Sequence, residues 1–366
     1  MKFKRAVLLL LALSLLLLPA CGEQAEEPPE EPSTPPPSVS VPPEPEPEPE
    51  PEPYGSPVNP LTGLPIDERW ANARPMAIMI NNLKGALPQQ GNGGADIIYE
   101  VVAEGGITRM LGVYQTVEDV GIIGSVRSSR PYYIELALGH DAIYIHAGGS
   151  TDAYTGLHSW NVDSMDGVNG RYSDSAAGLF WRDRNRIEGR RYSLEHSLIT
   201  AGENILAVLE QSNFRLEHEE NYVYDMAFAG DATPEGGETA VTVTVPFSSY
   251  KTGVFRYDEE SASYLVEEYG EPYIDGNSGE QVAVTNVLVL QTSIRNSGDS
   301  YGHMIVNLTG GDGWFACGGK AVPITWEKGD RSHQISYYLT DGTPLTLGQG
   351  KSYVNIISAS NSVTFE

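Results

Sequence analysis

The chain has 366 residues, with 49 acidic against 23 basic side chains and a formal charge of −26 when histidine is neutral. That excess excludes nucleic acid as a partner, because phosphate-backbone binding is driven by basic surface, and it would also repel anionic lipid headgroups. Cys21 and Cys317 are the only cysteines, so neither a cysteine metal cluster nor a disulfide framework is available, and stability must come from an ordinary core.

Residues 1–20 read as an export signal. Lys2, Lys4 and Arg5 form a basic start, and Ala6 to Leu18 is apolar apart from Ser14. This run falls well short of the roughly 20 apolar residues that span a bilayer, so it suits a removable signal core. Leu18-Pro19-Ala20-Cys21 resembles the lipobox of bacterial lipoproteins, which implies a lipid on the Cys21 thiol and an extracytoplasmic protein attached to the cell membrane through it. Several acyl chains anchor stably where one does not. Loss of Lys2, Lys4 and Arg5 takes the charge from −26 to −29.

Residues 21–57 read as a stalk. Gly22 to Pro53 holds ten glutamates and thirteen prolines with no aromatic or basic residue, a composition that cannot bury a core. The Glu-Pro alternation favours polyproline II, and at about 3.1 Å per residue the stalk reaches on the order of 100 Å.

The remainder predicts an α+β protein. Residues 58–228 form a mixed α/β domain, and residues 229–366 form a β-rich, sandwich or barrel-like domain. Apolar runs between Gly, Pro and Asn place strands at Met76 to Ile80, Ile97 to Ala103, Thr108 to Gln115 and Ala142 to His146. A helix is expected from Pro131, capped by Ser128-Ser129, and another after Thr200, where Thr200 and Glu203 form a capping box. Beyond Tyr222 strands follow one another: Ala240 to Val245, Gly253 to Tyr257, Ser263 to Glu267, Val282 to Gln291, His303 to Leu308 and Ser336 to Leu339. Turn signals fall between them at Asp275-Gly276-Asn277 and Asp341-Gly342.

The segments Asn59 to Gly63, Arg74 to Asn82, Ala95 to Glu100, Glu104 to Arg109 and Ile123 to Pro131, with Trp326 to Gly329 and Gly350-Lys351 near the end, form a recognisable set. Together they resemble the YerB-like lipoproteins, a two-domain family of Gram-positive bacteria. The resemblance implies a lipid-anchored, two-domain protein and carries no catalytic assignment. Tyr192-Ser193-Leu194-Glu195-His196 departs from the basic, proline-containing segment expected before that histidine.

Gly105-Gly106 suggests a two-residue hairpin turn, which would set Val102 opposite Arg109 and gather Glu100, Glu104 and Arg109 on one face. Glu100 and Glu104 would then lie about 13 Å apart along a strand, too far for a glycosidase pair, and both would share Arg109. Arg127-Ser128-Ser129-Arg130 brings two guanidiniums and two hydroxyls to a helix start, a combination suited to an anion. His140 and His146, six residues apart on a strand, cannot share a metal ion, and no metal or other cofactor is expected. His146-Ala147-Gly148-Gly149-Ser150 puts a hydroxyl in a glycine turn where His158 or His196 could act as base, but it lacks the Gly-x-Ser-x-Gly elbow of a serine hydrolase. Arginines 182, 184, 186, 190 and 191 interleave with Asp183 and Glu188 and read as an internally paired loop.

Together these features predict a ligand site of Arg127, Ser128, Ser129, Arg130, Glu104, Arg109, His146 and His196. Its ligand would be anionic or glycan-like, such as a cell-wall glycan or peptide. A hydrolase acting on cell-wall material is the alternative from a different class, and a protein-docking or structural module is the third.

Overall fold

A computed structural model describes residues 57–173 and 178–366. The export signal, the lipidation site Cys21 and the Glu-Pro stalk up to residue 56 lie outside the described residues.

Strands β1 (Met76–Asn81), β2 (Ile97–Val102) and β3 (Thr108–Tyr114) are buried along their whole length. Burial on both faces is why they read as unbroken apolar runs rather than alternating ones. β3 lies antiparallel between β2 and β1. Helix α1 (Pro131–Gly139) leads into β4 (Ile143–His146), and helix α2 (Thr151–Ser159) leads into β5 (Ser164–Asp166). β4 and β5 extend the sheet in parallel beyond β1. Helix α3 (Gly202–Leu209) follows a short strand, Leu198–Ala201.

The chain then builds a second sheet, in which β6 (Thr242–Pro246), β7 (Thr252–Asp258) and β8 (Ser263–Glu268) form an antiparallel meander. It next returns to the first sheet with β9 (Asn286–Thr292), β10 (Gly310–Cys317), β11 (Lys320–Lys328) and β12 (Ser352–Ser358). The large sheet therefore runs β11-β10-β9-β12-β2-β3-β1-β4-β5, with both halves of the sequence joined where β12 pairs in parallel with β2 and β9. The described residues form one compact unit.

Each face of the large sheet has its own core. On one, Tyr133, Ile134 and Ala137 of α1 pack against Met79, Val101, Leu111 and Ile356. On the other, Val243, Phe255 and Val266 of the second sheet pack against Ile98, Met110, Val289 and Tyr353. The result is helices, large sheet and small sheet in three layers.

The first helix starts at Pro131 as expected, but the caps of both helices differ from expectation. Arg130, in extended conformation and without a side-chain cap bond, precedes α1, because Ser129 is turned inward beneath Tyr144. Ala201 precedes α3, while Thr200 belongs to the preceding strand and its hydroxyl donates to Leu179 O at 2.9 Å. The strand pairing took the residue that the capping box would have used.

Candidate functional site

The β2–β3 connection sets which side chains meet. Ala103 N–H donates to Ile107 O at 2.7 Å, and Gly105 and Gly106 take φ of 68° and 77°, so the loop spans Ala103 to Ile107 rather than two residues. Arg109 consequently stands opposite Val101, and Glu100 opposite Met110. A one-residue shift flips every side chain to the other face. Glu100 therefore parts from Arg109 and is buried beneath the second sheet, 2.9 Å from Lys251 Nζ.

Glu104 remains with Arg109 and is joined by Arg130. The Arg130 fork donates from Nη2 to Oε1 at 2.6 Å and from Nε to Oε2 at 3.2 Å, while Arg109 pairs with the same Oε1. Arg109 Nη1 also donates to Ser128 O at 3.1 Å, and Arg130 Nη1 to Ser129 O at 2.6 Å. These contacts tie the β2–β3 loop to the chain entering α1. Burial raises the Glu104 carboxyl, but Arg109 and Arg130 outweigh it and hold the group below its ordinary value.

Arg127 is different. Its side chain is 22% exposed and pairs with an exposed carboxylate, Glu195, at 3.2 Å. Its enclosed Nε has no hydrogen-bond partner among the described residues. Burial, and then the charge of Arg109, disfavour its cation. Arg109, Arg127 and Arg130 thus meet two carboxylates, Glu104 and Glu195, which leaves one net positive charge around Arg127 in a strongly acidic protein.

Arg127 opens into a groove of about 610 Å³ lined also by Ser128, Gly148, Gly149, Tyr154 and Arg182. Asp166 shapes its far wall. It accepts the Gly148 N–H at 2.7 Å, the Val168 N–H at 2.9 Å and the Tyr154 hydroxyl at 2.7 Å. Just past Gly149, Ser150 caps α2 by accepting the Ala153 N–H at 3.2 Å, so the positive end of a helix lies behind the glycines.

The other expected site residues stand back from this groove. Ser129 is fully buried and accepts the Tyr144 hydroxyl at 2.9 Å. Arg130 is committed to Glu104. His146 is buried, donates from Nδ1 to Gly148 O at 2.9 Å and stacks on Tyr144; burial lowers its pKa. His196 accepts from Asn81 Nδ2 at 3.0 Å, and burial likewise lowers its pKa. With Ser150 serving as a helix cap, no described serine–histidine pair assembles a hydrolase nucleophile in this loop.

Tyr154 and Asp166 went unmarked in the sequence because neither belongs to a motif; only the tertiary fold brings them to Gly148. The arginine-rich loop also divides. Arg186 is buried, donates to Pro88 O at 2.9 Å and His196 O at 3.3 Å, and stacks on Tyr192 at 4.1 Å. Arg182 reaches the groove and donates to Leu194 O at 2.9 Å.

Two family models match the chain. Residues 61–215 match the family described as protein of unknown function (DUF3048) N-terminal domain, and residues 243–354 match its C-terminal domain. The protein called "Putative lipoprotein YerB" of Bacillus subtilis (strain 168) is 30% identical over 304 residues, covering 81% of this chain and 85% of its own length. The crystal structure of YerB from Bacillus subtilis aligns with a TM-score of 0.72 at 28% identity, over 84% of this chain and 99% of that one.

Proposed function

The chain belongs to the DUF3048 family, with both of its domains in order, and on that premise we propose that it is a lipid-anchored extracytoplasmic protein that binds an anionic or glycan-like cell-envelope ligand in the Arg127 groove. The anchor rests on the lipobox-like Leu18 to Cys21 and on likeness to the Bacillus relative. The ligand class rests chiefly on Arg127, a half-enclosed guanidinium beside a second arginine with an unpartnered Nε. Ser128 and the glycine turn supply hydroxyl and backbone groups to orient a phosphate or carboxylate, and Tyr154 supplies a ring face for a sugar.

Titration calorimetry with inorganic phosphate and with an uncharged N-acetylglucosamine oligosaccharide tests the site. Phosphate binding should weaken at least about tenfold in Arg127→Ala, the loss of one charge-assisted hydrogen bond, and persist in Arg171→Ala, which removes an exposed arginine that does not line the groove. Equal affinity in wild type and Arg127→Ala would overturn the proposal. Release of Cys21→Ser into the medium, with wild type retained on cells, tests the anchor.

A further inference from the structure

Between the large sheet and the second sheet, Lys251, Glu100, Glu268, Asn82, Thr108 and Tyr353 are sealed from solvent. Lys251 Nζ lies 2.9 Å from Glu100 Oε1 and 2.5 Å from Glu268 Oε2. Asn82 Nδ2 donates to the same two oxygens, at 2.9 and 3.3 Å. The amine and the carboxamide thus share both acceptor oxygens. The Phe247 and Tyr269 rings flank the amine at 5.2 and 5.6 Å, and the Tyr353 hydroxyl donates to Glu100 Oε2 at 2.5 Å.

An ion pair alone does not account for this group. Burying charge is expensive even when it is balanced, and here a second carboxyl joins the one that balances the ammonium. Asn82 adds nothing to the charge balance, and its Oδ1 has no hydrogen-bond partner among the described residues. A primary amine, a carboxamide and a carboxyl that can carry a proton, enclosed away from water, are instead the components of a transamidation.

We propose that Lys251 and Asn82 join in an intramolecular isopeptide bond between Lys251 Nζ and Asn82 Cγ, with release of ammonia. In the fraction in which Glu268 is ionised, the Lys251 ammonium passes a proton to its carboxylate, and the freed lone pair attacks Cγ, opening its carbonyl to a tetrahedral oxyanion. As the carbonyl re-forms, the Cγ–Nδ2 bond breaks. Glu268 relays the attacking nitrogen's second proton to the departing nitrogen, which leaves as ammonia and carries the first proton away as ammonium. One N–C bond forms, one breaks, and no oxidant or reductant enters.

Burial, and next the charge of Glu100, raise the Glu268 carboxyl to about 8, where it exchanges a proton at neutral pH. Burial opposes the Lys251 charge, but Glu100 and Glu268 outweigh it and hold the ammonium above its ordinary value, so the amine is freed only as Glu268 takes its proton. A half-turn of the Asn82 amide would give Oδ1 the Glu268 proton and polarise Cγ for attack. The bond would tie β1's end to the β6–β7 turn, a covalent staple in a chain whose described residues contain a single, free cysteine.

Tryptic peptide mapping of the full chain by mass spectrometry tests the bond. The expected product is a branched peptide joining the Asn82 and Lys251 segments, lighter than their sum by one ammonia and uncut after Lys251. It should vanish in Lys251→Arg and in Asn82→Ala, and decline in Glu268→Gln. The wild-type map is decisive even if a variant fails to fold: unlinked Asn82 and Lys251 peptides as the sole forms in folded protein would overturn the proposal. A link from Lys251 to Glu100 or Glu268 with loss of water would overturn the assignment to Asn82.

Discussion

Replacing Glu104 with glutamine removes the carboxylate that Arg109 and Arg130 share while preserving side-chain size. Both arginines are almost wholly buried, at 4% and 5% exposure. Leaving a buried charge without its partner typically destabilises by about 3 to 5 kcal/mol. Because the Glu104 side chain is itself 23% exposed, water reaches that edge, and the expected loss lies at the lower end, about 3 kcal/mol. For a folded part of roughly 300 residues this lowers Tm by about 5 °C. The pH dependence has a definite sign. The folded pKa of Glu104 is depressed, so its contribution is complete above the unfolded glutamate value and is lost as pH falls through the folded one. Scanning calorimetry at pH 7 and near pH 3 should therefore show the full gap between wild type and Glu104→Gln at neutral pH and a narrower gap in acid. A shift below roughly 1 °C at pH 7, or a gap that widens in acid, would refute the shared-carboxylate account.

Asp96 offers the opposite sign. Burial raises its carboxyl to about 6 against the hydrogen bonds from Gln115 and Asn59. The folded state therefore holds the proton more tightly, and stability falls as pH rises from about 4 to about 6. Asp96→Asn should flatten urea midpoints across that window, and an unchanged slope would count against it. At Gly202 an added Cβ would meet Val117 O at 1.9 Å. Gly202→Ala should thus destabilise by about 1 to 3 kcal/mol through overpacking, although alanine is the better helix former, and a raised Tm in calorimetry would contradict this.

The strands of the first half were legible because a doubly covered sheet leaves a continuous apolar signal. β10, β11 and β12 were not marked, although they complete the same sheet. β11 contains Pro323, which pairs opposite Trp314 inside the sheet and ordinarily argues against such a position. β12 interrupts its apolar run with Asn355, which is buried and donates to Leu288 O at 3.1 Å. At the site, local sequence identified the Arg127–Arg130 segment and the Glu104–Arg109 pair. It could not assign exposure: Arg127 faces the groove while Arg130, three residues on, is locked inward. It also misplaced Glu100, because two consecutive glycines suit both a tight turn and the longer loop found here, and a single residue of register decides which face each carboxylate takes.

The sheet order bears on where this chain can be divided. β12, near the C-terminus, pairs with β2 from Ile97 to Val101 and with β9 from Asn286 to Thr292. A fragment of residues 58–228 matches the first domain expected from sequence, yet it would lack β12 and expose the apolar β2 edge to other chains. It would also uncover Ile98 and Met110, which share a core with Phe255 and Val266. The fragment is therefore expected to aggregate or to lack a cooperative melt in circular dichroism. Co-expression with residues 229–366 should restore solubility by returning β12 to its place. A soluble, monomeric 58–228 fragment with a cooperative transition would show that β2 does not need its C-terminal neighbour.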